Sequence, residues 1–254
     1  MSRIFLTSDT HFGHDRAFLW SPRGFGNIKE HDEAIIKNWN SEITCDDEVY
    51  HLGDVMLGNN DYGMECLSKL NGQIKIIVGN HDTDTRIKLY ETLPNVEILG
   101  WAYPLKYKKY HFLLSHHPTM TSNLEKAPYL RMHLINLYGH THQKTNFYND
   151  IPFMFHVGMD SHNCAPILLD DAIEMMKKET QKCLDLCGEG QIVDADEPAA
   201  ASPIAELTPV ETFVRPIPVA GGCDKCAHQG QCSGWVKNIR CKYYEKDPID
   251  GGFY

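Results

Sequence analysis

The chain has 254 residues, with 34 Asp plus Glu against 24 Lys plus Arg, a formal net charge of −10, 14 His and 9 Cys. That length buries a core without disulfide staples, no apolar run approaches the ~20 residues that span a bilayer, and the acidic balance argues against a dedicated duplex-DNA binder, which needs a basic face. The opening residues lack the apolar stretch and cleavage site of a secretory signal, so we expect a cytoplasmic chain without a membrane partner, whose odd cysteine count reflects free thiols or metal ligands.

Arg3–Ser8 reads as a short apolar strand, and Glu33–Ile43 carries Ala34, Ile35, Trp39 and Ile43 at helical spacing. Glu48–Leu52 is a second strand ending at Gly53, Met64–Leu70 a helix stopped by Asn71-Gly72, and Gln73–Val78 a third strand ending at Gly79. So short a crossover makes the second and third strands parallel neighbours. Further strands are predicted at Val96–Leu99, Leu105–Lys108, His111–Ser115, Leu134–Tyr138 and Phe153–Val157, and a last helix at Leu168–Leu186. Residues 1–188 are therefore expected to form an α/β domain with a large layered sheet. Residues 189–222, rich in Pro, Ala and acid, read as a flexible linker to a cysteine-rich segment at 223–254.

The informative pattern lies at the strand ends, where each apolar run gives way to polar residues: Ser8-Asp9-Thr10-His11, Gly53-Asp54, Gly79-Asn80-His81-Asp82, Ser115-His116-His117 and Gly139-His140-Thr141-His142. Ligand sites of open α/β sheets form at the carboxyl ends of strands, and a glycine there lets the chain turn sharply. Asp9 and His11, like His140 and His142, are two apart, which in extended chain sends both members to one side. These are O and N donors with no thiolate, a set suited to Mn, Fe, Zn, Ni or Co. Asp9, His11, Asp54, Asn80, His116, His140 and His142 exceed what one ion needs and match two ions sharing a carboxylate. Two ions ~3.5–4 Å apart polarise a phosphoryl group and bring a bridging water toward neutral pKa.

This ordered series resembles the calcineurin-like metallophosphoesterase superfamily over residues 1–175. A closer likeness, to a compact bacterial and phage-borne branch, lies in Asp9-Thr-His-Phe-Gly-His14, Asn38-Trp-Asn40, Val49-Tyr-His-Leu-Gly-Asp54 and Leu70-Asn-Gly72. The resemblance implies a four-layer α/β/β/α sandwich with the metals at the strand ends. It implies that Asp9, His11 and His142 hold one metal, that Asn80, His116 and His140 hold the second, and that Asp54 bridges. His81 would be the catalytic non-ligand histidine, protonating the leaving oxygen or stabilising charge on phosphorus; an imidazole suits this because its ordinary pKa is near ~6.5. Asp82 could orient it. Residues 53–58, GDVMLG, lack the Asp-Arg-Gly extension of Ser/Thr protein phosphatases, which speaks against that activity.

Beside this set stand weaker candidates. His14, Arg23 and His117 lie where a substrate phosphate could be received, a guanidinium offering two-point contacts; a solvated loop cation is the alternative favoured for Arg23. His51 reads as a satisfied core histidine or as support for the site, and His31, His111, His133, His156 and His162 as structural. Lys106–Tyr110 reads as a solvated hairpin face. Cys45, Cys66 and Cys164 are expected to be packed thiols, while Cys183 and Cys187 share a helix face. In the tail, Cys223, Cys226, Cys232 and Cys241 fall within 19 residues. A segment so small needs a staple, which a structural zinc on four thiolates supplies; an iron–sulfur cluster is the alternative.

The expected activity is hydrolysis of phosphate esters, with diesters preferred, by attack of a water activated at a dinuclear metal centre, Mn favoured. Nucleotides or nucleic acids are candidate substrates. The alternatives are a nuclease that uses the tail as a clamp, a protein-binding role for the tail, and a scaffold that kept the fold without catalysis.

Overall fold

A computed structural model describes residues 2–121 and 130–187. The expected linker at 189–222 and the module bearing Cys223, Cys226, Cys232 and Cys241 lie outside these residues, as does the side chain of Cys187. The described chain runs β1 (Ile4–Thr7), α1 (Ala17–Trp20), α2 (Ile28–Glu42), β2 (Glu48–His51), α3 (Asn60–Ser68), β3 (Gln73–Ile77), α4 (Asp84–Tyr90) and β4 (Val96–Gly100). It continues through β5 (Ala102–Tyr107), β6 (Tyr110–Ser115), β7 (Leu134–Tyr138), β8 (Met154–His156), β9 (Ile167–Leu168) and α5 (Leu169–Cys187). The result is a mixed α/β fold with two sheets, and none of its described helices is long and apolar enough to cross a membrane.

The first sheet has the order β4-β3-β2-β1-β9, parallel except for β9. The second has the order β5-β6-β7-β8, a β5–β6 hairpin followed by parallel β6, β7 and β8. As the spacing predicts, β2 and β3 are parallel neighbours joined by α3. The registers Thr7↔His51 and His51↔Ile76 bring the exits of β1, β2 and β3 to one edge. Leu114↔Leu137 and Tyr138↔His156 do the same in the second sheet, and a parallel bridge between Ser8 and Gly158 ties the two edges together. All five polar motifs thus leave their strands at one rim.

Apolar burial holds this rim in place. α2 drives Ile35 and Trp39, and its C-cap Ile43 follows them, onto Phe5, Val49 and Ile74 of the first sheet, in a cluster shared with Leu67 of α3 and Tyr90 of α4. Full burial of such a side chain is worth about 1.5–3 kcal/mol, and the Trp39 indole N–H donates to the Asn71 carbonyl at 2.9 Å, so its polar end is satisfied. A second cluster joins Leu6, Leu52 and Ile77 to Phe112, Leu114, Ile135, Leu137 and Phe155, and takes in Leu169, Ala172, Ile173 and Met176 of α5.

Several boundaries differ from expectation. α2 starts at Ile28, not Glu33. The Asn27 side chain accepts from the Glu30 N–H and the Glu30 carboxylate from the Gly26 N–H, a capped start. The first turns bury His31 and Asp32, so no apolar period marks them. α4 has no sequence signal because only Tyr90 of its seven residues is buried. Cys66 and Cys164 are packed thiols, but Cys45 is exposed. Lys106–Tyr110 spans the β5–β6 hairpin, whose turn is Lys108-Lys109; Lys108 is paired to Asp170 at 2.6 Å, while Tyr110 is buried in the core and not on a solvated face.

Candidate metal centre

The backbone at the rim is unusual. Asp9 (φ 60°), His11 (φ 48°), Asp54 (φ 57°), His140 (φ 65°) and His142 (φ 48°) all occupy the left-handed region. Non-glycine residues enter it at a cost, and stay there only where the surroundings over-determine them. Here the Asp9 N–H donates to the Gly53 carbonyl (3.0 Å), His11 to Asp54 (3.1 Å) and the His140 N–H to the Asp9 carboxylate (2.9 Å). The pairs Asp9/His11 and His140/His142 therefore converge through left-handed turns, not through the extended chain expected from their spacing. Of the motif glycines, Gly53 has φ +88°, whereas Gly79 and Gly139 are needed for space. A Cβ on Gly79 would overlap the Asp54 carboxylate, and one on Gly139 would overlap Ser8 and Asp9.

Two groups of donors result. In the first, Asp9 is fully buried; its Oδ2 accepts from Ser8 Oγ at 2.7 Å, while Oδ1 has no partner. That orphaned oxygen faces His11 Nε2 at 3.8 Å and His142 Nε2 at 3.9 Å, and the two Nε2 atoms are 3.1 Å apart. In the second, His116 donates from Nδ1 to the Leu52 carbonyl at 2.7 Å, which leaves a lone pair on Nε2 in the neutral ring. Around that Nε2 stand Asn80 Oδ1 (2.9 Å), His140 Nδ1 (3.2 Å) and Asp54 Oδ2 (3.4 Å). Asp54 Oδ2 also lies 3.7 Å from His11 Nε2, so it touches both groups. Acceptors gathered in this way, one of them buried without a donor, fit a divalent cation held by O and N ligands.

The electrostatics reflect this crowding. Burial pushes the Asp9 carboxyl up and the His11 imidazole well down. Burial also opposes charge on His116 and Asp54, but in the metal-free protein their mutual attraction outweighs it, raising His116 to about 9 and holding Asp54 below the usual carboxylate range. His140 is lowered, first by burial and then by its histidine neighbours.

His81 is half-buried, with its ring centroid 5.7 Å from that of His11. Its N–H donates to Asp54 Oδ1 at 2.8 Å, and its carbonyl accepts from Arg86 Nη1 at 2.6 Å. Asp82 does not orient it. The Asp82 carboxylate accepts instead from the N–H groups of Asp54 (2.8 Å), Val55 (3.1 Å) and Gly79 (2.9 Å) and from the Tyr90 hydroxyl (2.9 Å), pinning the turns that carry Asp54 and Asn80.

The weaker candidates sort differently. His14 lies against His11 with ring centroids 5.5 Å apart, and burial lowers its pKa. His117 is exposed, but its ring is 4.3 Å from that of His140, and it forms with His116 and His140 a third group able to hold a metal. Arg23 is no solvated cation: its side chain is 1% exposed. Its guanidinium bonds to Asp160 at two points (3.0 and 2.6 Å), to His31 (2.9 Å) and to the Asp9 carbonyl (2.9 Å), which commits it to the protein and not to a substrate phosphate. Asp160 in turn accepts from His142 Nδ1 at 2.8 Å. His51 is a core histidine bonded to Thr10 at 3.0 Å. Sequence reasoning missed Asp160, Asp32, which accepts from the His31 Nδ1–H at 2.7 Å, and Asn136, which spans Thr119, Ser115 and Leu113 and so holds the loop of His116. None of the three sits in a motif.

The comparisons with known proteins agree with this geometry. The model of the calcineurin-like phosphoesterase superfamily domain matches residues 2–159. The chain is 32% identical over 186 residues to the uncharacterized protein MJ1445 of Methanocaldococcus jannaschii, covering 70% of this chain and 93% of that one. It is 28% identical over 204 residues to the gene 66 protein of Mycobacterium phage D29, covering 69% and 96%. The solved structure of AQ665 from Aquifex aeolicus, a protein of unknown function, shares the fold at 20% identity and a TM-score of 0.54, covering 69% of this chain and all of that one. The chain belongs to the calcineurin-like phosphoesterase superfamily.

Proposed function

We propose that the protein is a phosphoesterase that uses two divalent metal ions, Mn favoured, and prefers phosphodiesters. Asp9, His11 and His142 would hold one ion, Asn80, His116 and His140 the other, and Asp54 both. The observation that carries this reading is Asp54 Oδ2, within 3.7 Å of His11 Nε2 and 3.4 Å of His116 Nε2. Ions held there would supply Lewis acidity toward phosphoryl oxygens and would lower the pKa of water. The remaining work falls to the chain. Asp82 and the left-handed turns fix the donors, and His81, tethered at both its N–H and its carbonyl, presents a ring beside His11 to protonate the leaving oxygen. Asn80, His117 and His142 are exposed, so the rim is open to substrates that carry groups on both sides of phosphorus. In the proposed α/β/β/α sandwich, α5 is the helix we assign to the second outer layer.

Hydrolysis of bis-p-nitrophenyl phosphate and p-nitrophenyl phosphate with added Mn tests this. The reading expects turnover of both esters, faster on the diester, lost on chelation. In H81A, kcat falls about 10²–10⁴-fold with metal content unchanged. Inactivity on both esters with every divalent ion tried overturns it. For Cys223, Cys226, Cys232 and Cys241 the proposal remains structural zinc; one zinc lost from the full chain on C223S/C226S substitution is the expected result.

A further inference from the structure

A groove of about 600 Å³ opens beside His14, lined by Gly13, His14, Arg16, Leu57, Gly58 and Arg86, with Asp15 as its one acid. It adjoins the proposed acid: Arg86 Nη1 holds the His81 carbonyl at 2.6 Å and Nε bonds Asn60 at 3.1 Å, leaving Nη2 outside these bonds. The Asp15 carboxylate is engaged by the Trp20 indole at 3.3 Å, whereas the exposed Arg16 side chain has no hydrogen-bond or ion-pair partner among the described residues. At the same rim Phe18 is 72% exposed, its ring edge-on to His14 with centroids 5.5 Å apart. Two guanidinium groups and a bare aromatic ring beside His14 and His81, the proposed acid, match a repeating pattern of phosphate and flat base.

We infer that this groove binds the leaving-group side of a single-stranded oligonucleotide, with the next phosphate on Arg16 and Arg86 and a base stacked on Phe18. Guanidinium forks suit phosphate oxygens, and base stacking on an aromatic ring tolerates any sequence. The cations are local, so an acidic chain can hold a short anionic strand without a basic face. Arg86 has two duties, fastening His81 and presenting Nη2, which makes Arg16 and Phe18 the cleaner probes.

The inference rests on the phosphoesterase reading, and the test separates the two. Wild type, R16A and F18A are compared on bis-p-nitrophenyl phosphate, a thymidine dinucleotide and a thymidine trinucleotide. Wild type should cleave the trinucleotide more efficiently than the dinucleotide. Each substitution should lower kcat/KM for the trinucleotide, relative to that for bis-p-nitrophenyl phosphate, by about tenfold. R16A should also flatten the salt dependence of trinucleotide cleavage, by a log–log slope of roughly 0.7. An unchanged ratio in both variants, or wild type that cleaves bis-p-nitrophenyl phosphate but neither oligonucleotide, overturns the inference. Failure of wild type on every ester overturns the reading beneath it.

Discussion

Asp160 Oδ2 stands 2.8 Å from His142 Nδ1, and the same carboxylate takes a two-point bond from Arg23. The carboxylate therefore selects the tautomer of His142 that turns the Nε2 lone pair toward Asp9 and His11, and it fixes the plane of a ring that is 37% exposed. Such partners of a ligand histidine carry 10–100-fold in metal affinity. D160N should weaken Mn binding by about that factor in calorimetric titration and leave far-UV circular dichroism unchanged. Equal affinity in D160N and wild type would remove Asp160 from the account.

Arg23 is the buried node of a chain that runs from Asp32 through His31, Arg23 and Asp160 out to the exposed His142. Truncating it leaves Asp160 as a carboxylate without its guanidinium and His31 without its donor. Removing one partner of a buried pair costs about 3–5 kcal/mol. R23M should lose that much in urea unfolding, and R23K should recover only part of it, because an ammonium cannot reach Asp160, His31 and the Asp9 carbonyl together. A loss below about 0.5 kcal/mol in R23M would contradict this.

Asp82 collects three backbone N–H groups and one hydroxyl. In D82A those donors remain buried and unpaired, at about 1–3 kcal/mol for each one left unsatisfied. Y90F, which removes a single bond to the same carboxylate, should cost about 1 kcal/mol. Both are read from chemical denaturation of metal-free protein, and D82A should also lose metal affinity because the Asp54 turn loosens.

His51 is fully buried, and burial lowers its pKa to about 3, against the opposing field of Asp54. Unfolded, the ring titrates near ~6.5. Between these two values the unfolded chain binds the proton and the folded chain does not, so stability falls as pH falls through that window, by up to about 1.4 kcal/mol per unit. H51Q should flatten the slope of unfolding free energy between pH 6.5 and 4.5, measured with chelator throughout. His156, also lowered to about 3, keeps its own share of the slope.

The legible part of this protein is the part written as strand followed by polar residue. Val49–Asp54 and Ile74–Asp82 announce their chemistry because an apolar run ends in Gly and then in donors, and the β2–α3–β3 crossover is short enough to fix strand order. Two things are hidden. The left-handed backbone at Asp9, His11, Asp54, His140 and His142 leaves no mark, since it is imposed by bonds to Gly53, Asp54 and Asp9 from elsewhere in the fold. The supports Asp160, Asp32 and Asn136 are single polar residues whose partners, apart from immediate neighbours such as His31 beside Asp32, lie 17 to 137 positions away, with no local pattern to carry them. Arg23 is hard to read for the same reason: a lone arginine in a loop looks solvated until its acceptors are placed around it.

The measurement that bears most directly on the central claim is anomalous diffraction at the Mn edge from crystals grown with Mn. The account predicts two peaks at the rim, about 3.5–4 Å apart, one among Asp9, His11 and His142 and the other among Asn80, His116 and His140, with Asp54 touching both. A single peak, or none within reach of Asp54, would contradict it.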